Sequence, residues 1–344
     1  MKRDPTASRP ERVAVLGGGT WGCTLAALLS RHGHDVCLWD LDAKVIESLR
    51  ATRVPRNLAN LHVPEAVGLT NVMAAAAEGA TVVVLAVPSV GMRSTTEALR
   101  DVRPDDGARL YAICTKGLEK NTHRTMSQVV LDVLGEAVRE RVGVVSGPSH
   151  AEEVSRQMPT TVTAAAYDPA TARRIQTIFF DPTFRVYTHD DVLGVEVGAA
   201  VKNVIAIACG ICDGLGMGDN AKAALITRGL AEMMRLGRAL GIREQTLAGL
   251  SGMGDLIVTA ISRHSRNRNF GELLSKGLTP QQAAEAIGMV VEGIPTARAV
   301  SELARHYSIE MPISEAVYSI LYESKSVMRA VGELLEREPK AEMY

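Results

Sequence analysis

The chain has 344 residues, 46% of them hydrophobic, with 38 lysines and arginines against 39 acidic residues and a net charge of −1. That length predicts two domains, and the apolar fraction is enough for a sizeable core. The near-neutral charge gives no overall field for nucleic acid or an anionic membrane, so the expected partners are small molecules or a second copy of the chain.

The N-terminus (MKRDPTASRPER) is polar and lacks the apolar stretch of a signal peptide, which predicts a cytoplasmic protein. Beyond it, strands are expected over Arg12–Leu16, Asp35–Trp39, 81–87, 110–114 and 142–145. Weaker strand patterns, expected at a sheet edge, cover Thr160–Ala166 and 185–187. Helical patterns lie between, over Thr20–Arg31 and 41–50 for example. Near-continuous apolar strands separated by helices predict a parallel sheet covered on both faces. Past Asp191 the valine-rich runs stop, and helices are expected over 197–212, 220–240, 279–286, 296–307 and Pro312–Tyr322. Pro280 and Pro312 suit first helical turns. The reading is an α/β domain over 11–193, an all-α domain over 194–338, and a frayed tail after Arg337.

Gly17-Gly18-Gly19-Thr20-Trp21-Gly22 fits G-x-G-x-x-G between the first strand and its helix. Gly17 permits the tight turn, Gly19 lets backbone approach a pyrophosphate, and Gly22 lets helix and strand pack closely. The pyrophosphate would sit on the helix N-terminus. Asp40 ends the second strand, where a carboxylate accepts ribose hydroxyls and repels a 2′-phosphate; it predicts NAD(H) over NADP(H). Its other reading is a helix cap, a task for which Asp42 is better placed.

Ligands of open α/β sheets bind beyond the carboxyl ends of strands. Here those ends read Ala86-Val87-Pro88-Ser89, Cys114-Thr115-Lys116-Gly117 and Ser146-Gly147-Pro148-Ser149-His150-Ala151. Lys116 offers a positive charge; Gly147 and Ser149 offer a backbone donor and a hydroxyl. Taken singly, each is ordinary turn chemistry. His150 ranks behind Lys202 as an acid–base candidate.

Lys202 is the only charge in the apolar run 197–212. A buried amine loses proton affinity and exchanges a proton near neutral pH; the alternative is a stem that packs while its ammonium snorkels. The run itself is too short to span a bilayer and is bounded by Glu196 and Asp213. It also carries Cys209 and Cys212, a C-x-x-C with no second pair and no histidine at zinc spacing, so neither metal nor redox use is expected. Cys23, Cys37 and Cys114 read as reduced core cysteines.

Within 249–271, Ser265-Arg266-Asn267 combines a hydroxyl, a fork of donors and an amide suited to phosphate. Arg263, Arg266 and Arg268 form a basic cluster without aromatic interleaving, which argues against nucleic acid. Asp255 enters an apolar segment, to orient a hydroxyl, pair with Lys202 or cap a helix. Glu292 sits in a turn within reach of a cofactor hydroxyl.

Together these residues resemble the bacterial-type NAD(P)-dependent glycerol-3-phosphate dehydrogenases, from about Arg12 to Met328. The most specific pieces are GGGTWG, AVPS, CTKGLE, SGPSHAEEV, GVEVGAAVKNVIAIACGICDGLGMGDNAKAALITRG, GLSGMGDL, SRNRNFG and VVEGIPTA. The resemblance implies an N-terminal Rossmann domain and a helical domain like that of 6-phosphogluconate dehydrogenases. It implies interconversion of sn-glycerol 3-phosphate and dihydroxyacetone phosphate for phospholipid synthesis, with a homodimer as the default assembly. Lys202 then matches the general base. Lys116, Gly147, Ser149, Asp255, Ser265, Arg266 and Asn267 match substrate contacts. Thr20, Trp21, Lys116, Ala151, Arg266, Val290 and Glu292 match cofactor contacts. The chain departs from the family at Asp40-Leu41-Asp42, where NADPH users often carry basic residues. It departs again at His150 for phenylalanine, at Ala260 for cysteine, and over 52–64. The competing readings are a hydroxyacid or hydroxyacyl-CoA dehydrogenase of the same architecture, and an NAD-sensing regulator without catalysis. Asp255 near Lys202 would favour the ammonium, whereas burial alone would hold the amine neutral.

Overall fold

The computed structural model describes residues 10–102, 107–339 and 341–342. The polar leader up to residue 9 and residues 340, 343 and 344 of the tail lie outside them. The described chain forms two compact units. One comprises residues up to Ala199 together with Gln245–Asp255; the other comprises Ala200–Glu244 and Leu256 onward. The reading from sequence placed 245–255 with the helices; in the structure this segment is part of the first unit.

The first unit is built on eight strands: β1 (Arg12–Leu16), β2 (Asp35–Trp39), β3 (Gly68–Thr70), β4 (Val82–Leu85), β5 (Leu110–Ile113), β6 (Val142–Ser146), β7 (Thr160–Ala166) and β8 (Phe184–His189). Their order is β3-β2-β1-β4-β5-β6-β7-β8. All neighbours run parallel except β6 and β7. The edges are β3, a three-residue strand too short to leave a sequence signal, and β8. β7 lies one place in from the edge. Successive side chains point to opposite faces of a strand. Val13 and Val15 therefore enter one core cluster, with Leu25 and Leu28 of the helix Thr20–Arg31, while Ala14 and Leu16 enter a second, with Met92 and Val129. Burial on both faces is why these strands read as unbroken apolar runs. The order reverses between β1 and β4, which puts the ligand crevice of such a sheet beyond the end of β1.

The second unit is helical throughout its regular structure. It takes in most of the helix Val192–Gly214, then Asp219–Ala239, Arg266–Ser275, Pro280–Ile287, Gly293–His306, Pro312–Tyr322 and Val327–Leu335. Prolines open two of them, and Thr279 with Gln282 forms a capping box. The helix Val192–Gly214 outruns the apolar stretch seen in sequence. By length and composition it is sufficient to cross a membrane, yet 94% of its most apolar window is buried in protein. Its composition is that of a core helix. Cys209 and Cys212 lie buried on it as free thiols, and burial pushes Cys209 up to about 12.

Two helices of this unit meet backbone to backbone. A Cβ on Gly210 would lie 1.9 Å from the Arg268 carbonyl oxygen, and one on Gly271 would lie 2.0 Å from that of Ile207. Glycine from each side is what lets Val192–Gly214 and Arg266–Ser275 approach so closely.

Candidate active site

In the first unit the loop after β1 turns at Gly17, whose φ of +120° suits glycine. A Cβ there would lie 2.7 Å from the Ala86 carbonyl oxygen, and one on Gly22 would lie 1.8 Å from that of Gly17. These two glycines are demanded by the fold. Gly19 is not: its φ is −71°, it is exposed, and a Cβ would meet nothing within 4 Å. Nothing in the surrounding protein requires a glycine at this position. No side chain caps the helix Thr20–Arg31, and its first turn carries no acid, so its N-terminus suits an anion. The residues present therefore fit a dinucleotide pyrophosphate. Gly19→Ala is expected to melt within a few degrees of the unmodified protein. It is expected to lose at least about tenfold in NADH affinity, equivalent to about 1.4 kcal/mol, by fluorescence titration.

Asp40 does more than the sequence suggests. Its Oδ2 accepts from Gly18 N at 2.7 Å and its Oδ1 from Asp42 N at 2.9 Å, tying the end of β2 to the glycine loop. A carboxylate has about four acceptor positions, so capacity for a ribose remains. The cap of the following helix is Asp42, which accepts from Lys44 N at 2.9 Å.

The ends of β5 and β6 and the segment Gln245–Asp255 converge on Lys116. Its Nζ donates to Asp255 Oδ2 at 2.7 Å and to Gly147 O at 3.1 Å; Ser149 Oγ donates to the same carbonyl at 2.9 Å. Asp255 is buried. It follows a π-helical turn, Leu250–Gly254, and opens the helix Asp255–Ile261, so it is not an N-cap. The Lys116 loop is braced by an ion pair absent from the reading of the sequence: Arg93 Nε and Nη2 donate to the two oxygens of Glu119 at 2.8 and 3.0 Å. The Arg93 guanidinium holds the Glu119 carboxyl below its usual range. His150 is the N-cap residue of the short helix Ala151–Val154, and Ala151 is buried.

In the second unit Lys202 is 5% exposed, and its Nζ donates to Thr259 Oγ1 at 2.6 Å. The side-chain nitrogen is held inside rather than snorkelling to water. Asn203 Oδ1 accepts from Asn267 Nδ2 at 2.8 Å, and Asn267 Oδ1 accepts from Gly293 N at 2.9 Å. Arg266 Nη1 donates to Val290 O at 3.0 Å, and Glu292 is the N-cap residue of Gly293–His306. Arg266 and Val290 are thus brought together, and Glu292 precedes the Gly293 that donates to Asn267. The buried Ser265 hydroxyl accepts from Arg268 N at 3.2 Å and caps Arg266–Ser275, which leaves its O–H to donate. The basic cluster is also divided. Arg268 is paired with Asp213 at 2.5 Å and Glu272 at 3.3 Å, while Arg263 and Arg266 stay exposed. Thr259 is the residue that the sequence did not bring forward: there it gave no signal beyond a hydroxyl in an apolar helix.

Comparison with known proteins covers both units. Residues 12–172 match the family described as NAD-dependent glycerol-3-phosphate dehydrogenase N-terminus, and residues 191–332 match its C-terminus. The NAD(P)+ glycerol-3-phosphate dehydrogenase of Chlorobium limicola is 46% identical over 333 residues, covering 96% of this chain and 99% of that one. The Geobacter sulfurreducens enzyme of the same name is 47% identical, covering 97% and 99%. Among solved structures, glycerol-3-phosphate dehydrogenase from Coxiella burnetii is 39% identical with a TM-score of 0.90, covering 95% and 99%. A ketopantoate reductase from Ralstonia eutropha, 16% identical with a TM-score of 0.62 over 93% and 99% of the two chains, shares the fold alone.

Proposed function

Because the chain belongs to the NAD-dependent glycerol-3-phosphate dehydrogenase family, we propose that it is an oxidoreductase interconverting sn-glycerol 3-phosphate and dihydroxyacetone phosphate. The observation that carries this reading is the buried Lys202, bonded to Thr259 and next in sequence to the Asn203–Asn267–Gly293 network. When bound, the nicotinamide supplies two-electron exchange with the substrate carbon. In oxidation, Lys202 as the neutral amine takes the proton of the C2 hydroxyl; in reduction, its ammonium returns that proton to the ketone oxygen. Arg266 and Asn267 hold the phosphate. Both ends of the Asn267 amide are engaged, which leaves its second N–H for a phosphate oxygen. Lys116, Gly147, Ser149, Asp255 and Ser265 receive the rest of the substrate, and Ser265 also caps the helix that carries Arg266.

The dinucleotide is assigned to Gly17, Gly19, Thr20, Trp21 and Gly22, with Asp40 at the ribose and Lys116, Ala151, Arg266, Val290 and Glu292 as further contacts. Asp40 supports NADH over NADPH, because a 2′-phosphate would face a carboxylate already bound to the loop. The expected kcat/KM with NADH exceeds that with NADPH by at least about tenfold, since juxtaposed like charges cost several kcal/mol. Following absorbance with dihydroxyacetone phosphate and each cofactor tests both statements. No oxidation of either cofactor would sink the activity, and faster turnover with NADPH would sink the role of Asp40. The likeness to the family supports a homodimer in the cytoplasm that feeds phospholipid synthesis, with no nucleic-acid partner and no membrane insertion.

A further inference from the structure

The glycine loop is held from beneath by a side chain that the fingerprint does not include. Cys23, fully buried one turn into the helix Thr20–Arg31, directs its Sγ at the Gly18 carbonyl oxygen at 3.3 Å. Its backbone N–H donates to Gly19 O at 3.0 Å as part of the helix. On the other side, Gly18 N–H donates to Asp40. Both peptide groups flanking Gly18 are therefore fixed. In a planar trans peptide, the C=O of one residue and the N–H of the next point in opposite directions. A Gly18 carbonyl drawn down to Cys23 turns the Gly19 N–H up. Gly18 is buried and Gly19 is exposed, with open space around it.

We propose that Cys23 is a positioning residue for the dinucleotide, its S–H orienting the Gly18–Gly19 peptide so that Gly19 N–H faces the pyrophosphate. This rests on the dinucleotide reading of the loop given above. The thiol has to remain a thiol to donate. Burial, and after it the nearby charge of Asp40, pushes it up to about 12, so it stays protonated throughout the neutral range. The same burial keeps it out of disulfide exchange. A second donor of similar size, a serine hydroxyl, satisfies the same carbonyl; an alanine does not.

The test compares Cys23→Ala and Cys23→Ser with the unmodified enzyme. The readouts are fluorescence titration of NADH, the KM for dihydroxyacetone phosphate at saturating NADH, and a thermal melt. Cys23→Ala is expected to weaken NADH binding by about three- to tenfold, the range of one hydrogen bond. The KM for dihydroxyacetone phosphate stays within about twofold, because that substrate does not use this peptide. Cys23→Ser is expected to restore NADH affinity to within about twofold. A general loosening of the unit would move both ligands and the melt together. NADH affinity unchanged in the alanine variant would overturn the proposal, as would equal loss in both variants. If the unmodified protein took up no NADH, the dinucleotide reading itself would fall, a result distinct from either of those.

Discussion

Lys202→Met is expected to bind NADH as the unmodified enzyme does and to lose at least about a hundredfold in turnover, the lower range for removal of a general acid–base group. The substitution is chosen because methionine fills the volume of the lysine stem and leaves no cavity in a core helix. Thr259 Oγ1 loses the donor it accepts from but keeps its own O–H to donate, so the melt should change little. Lys202→Arg is the second half of the experiment. It keeps a positive charge, yet a guanidinium does not give up its proton in a protein, so it should fail as methionine does. An enzyme that needed only a positive charge would be rescued by arginine. Turnover near normal in the methionine variant would remove Lys202 from the mechanism.

Gly271→Ala is expected to reduce kcat/KM by about a hundredfold, the scale of an ångström-sized misplacement of catalytic groups. The new methyl would lie 2.0 Å from the Ile207 carbonyl oxygen, with backbone on both sides and no flexible side chain to yield. The helices must separate, at a typical overpacking cost of about 1–3 kcal/mol. The Asn203–Asn267 hydrogen bond spans the same pair of helices, so the separation reaches the groups beside Lys202 and Arg266. Gly332→Ala is the control: its Cβ would meet nothing within 4 Å, and alanine in a helix should raise the melt slightly. If Gly271→Ala matched that control in melt and in kcat/KM, the close approach would carry no catalytic weight.

What the sequence revealed follows from how each signal is made. The strands were visible as apolar runs because burial on both faces leaves no polar break in Val82–Leu85 or Leu110–Ile113. The three-residue β3 had no room for such a pattern. Lys202 stood out because one charge in an apolar run costs free energy wherever the run folds. The partner of Asp255 could not be read in the same way, since Lys116 lies 139 residues away along the chain. Ser265 was read from its neighbours Arg266 and Asn267, but a hydroxyl before a helix has a nearer use in capping it. Gly210 and Gly271 look in sequence like weak helix positions; only the opposing carbonyls explain them.

The Lys116 cluster also sets an order of events during synthesis. A chain released from the ribosome from its N-terminus at about 5–20 residues per second folds its domains roughly as they emerge. All eight strands are available once His189 has appeared. The segment Gln245–Asp255, however, belongs to the same unit and arrives only after a long helical stretch. Until then the Lys116 ammonium has Gly147 O but lacks its carboxylate. The first unit is thus sealed by a piece of chain made late, and a fragment ending at residue 199 would carry an open loop after β5 where the full chain has an ion pair.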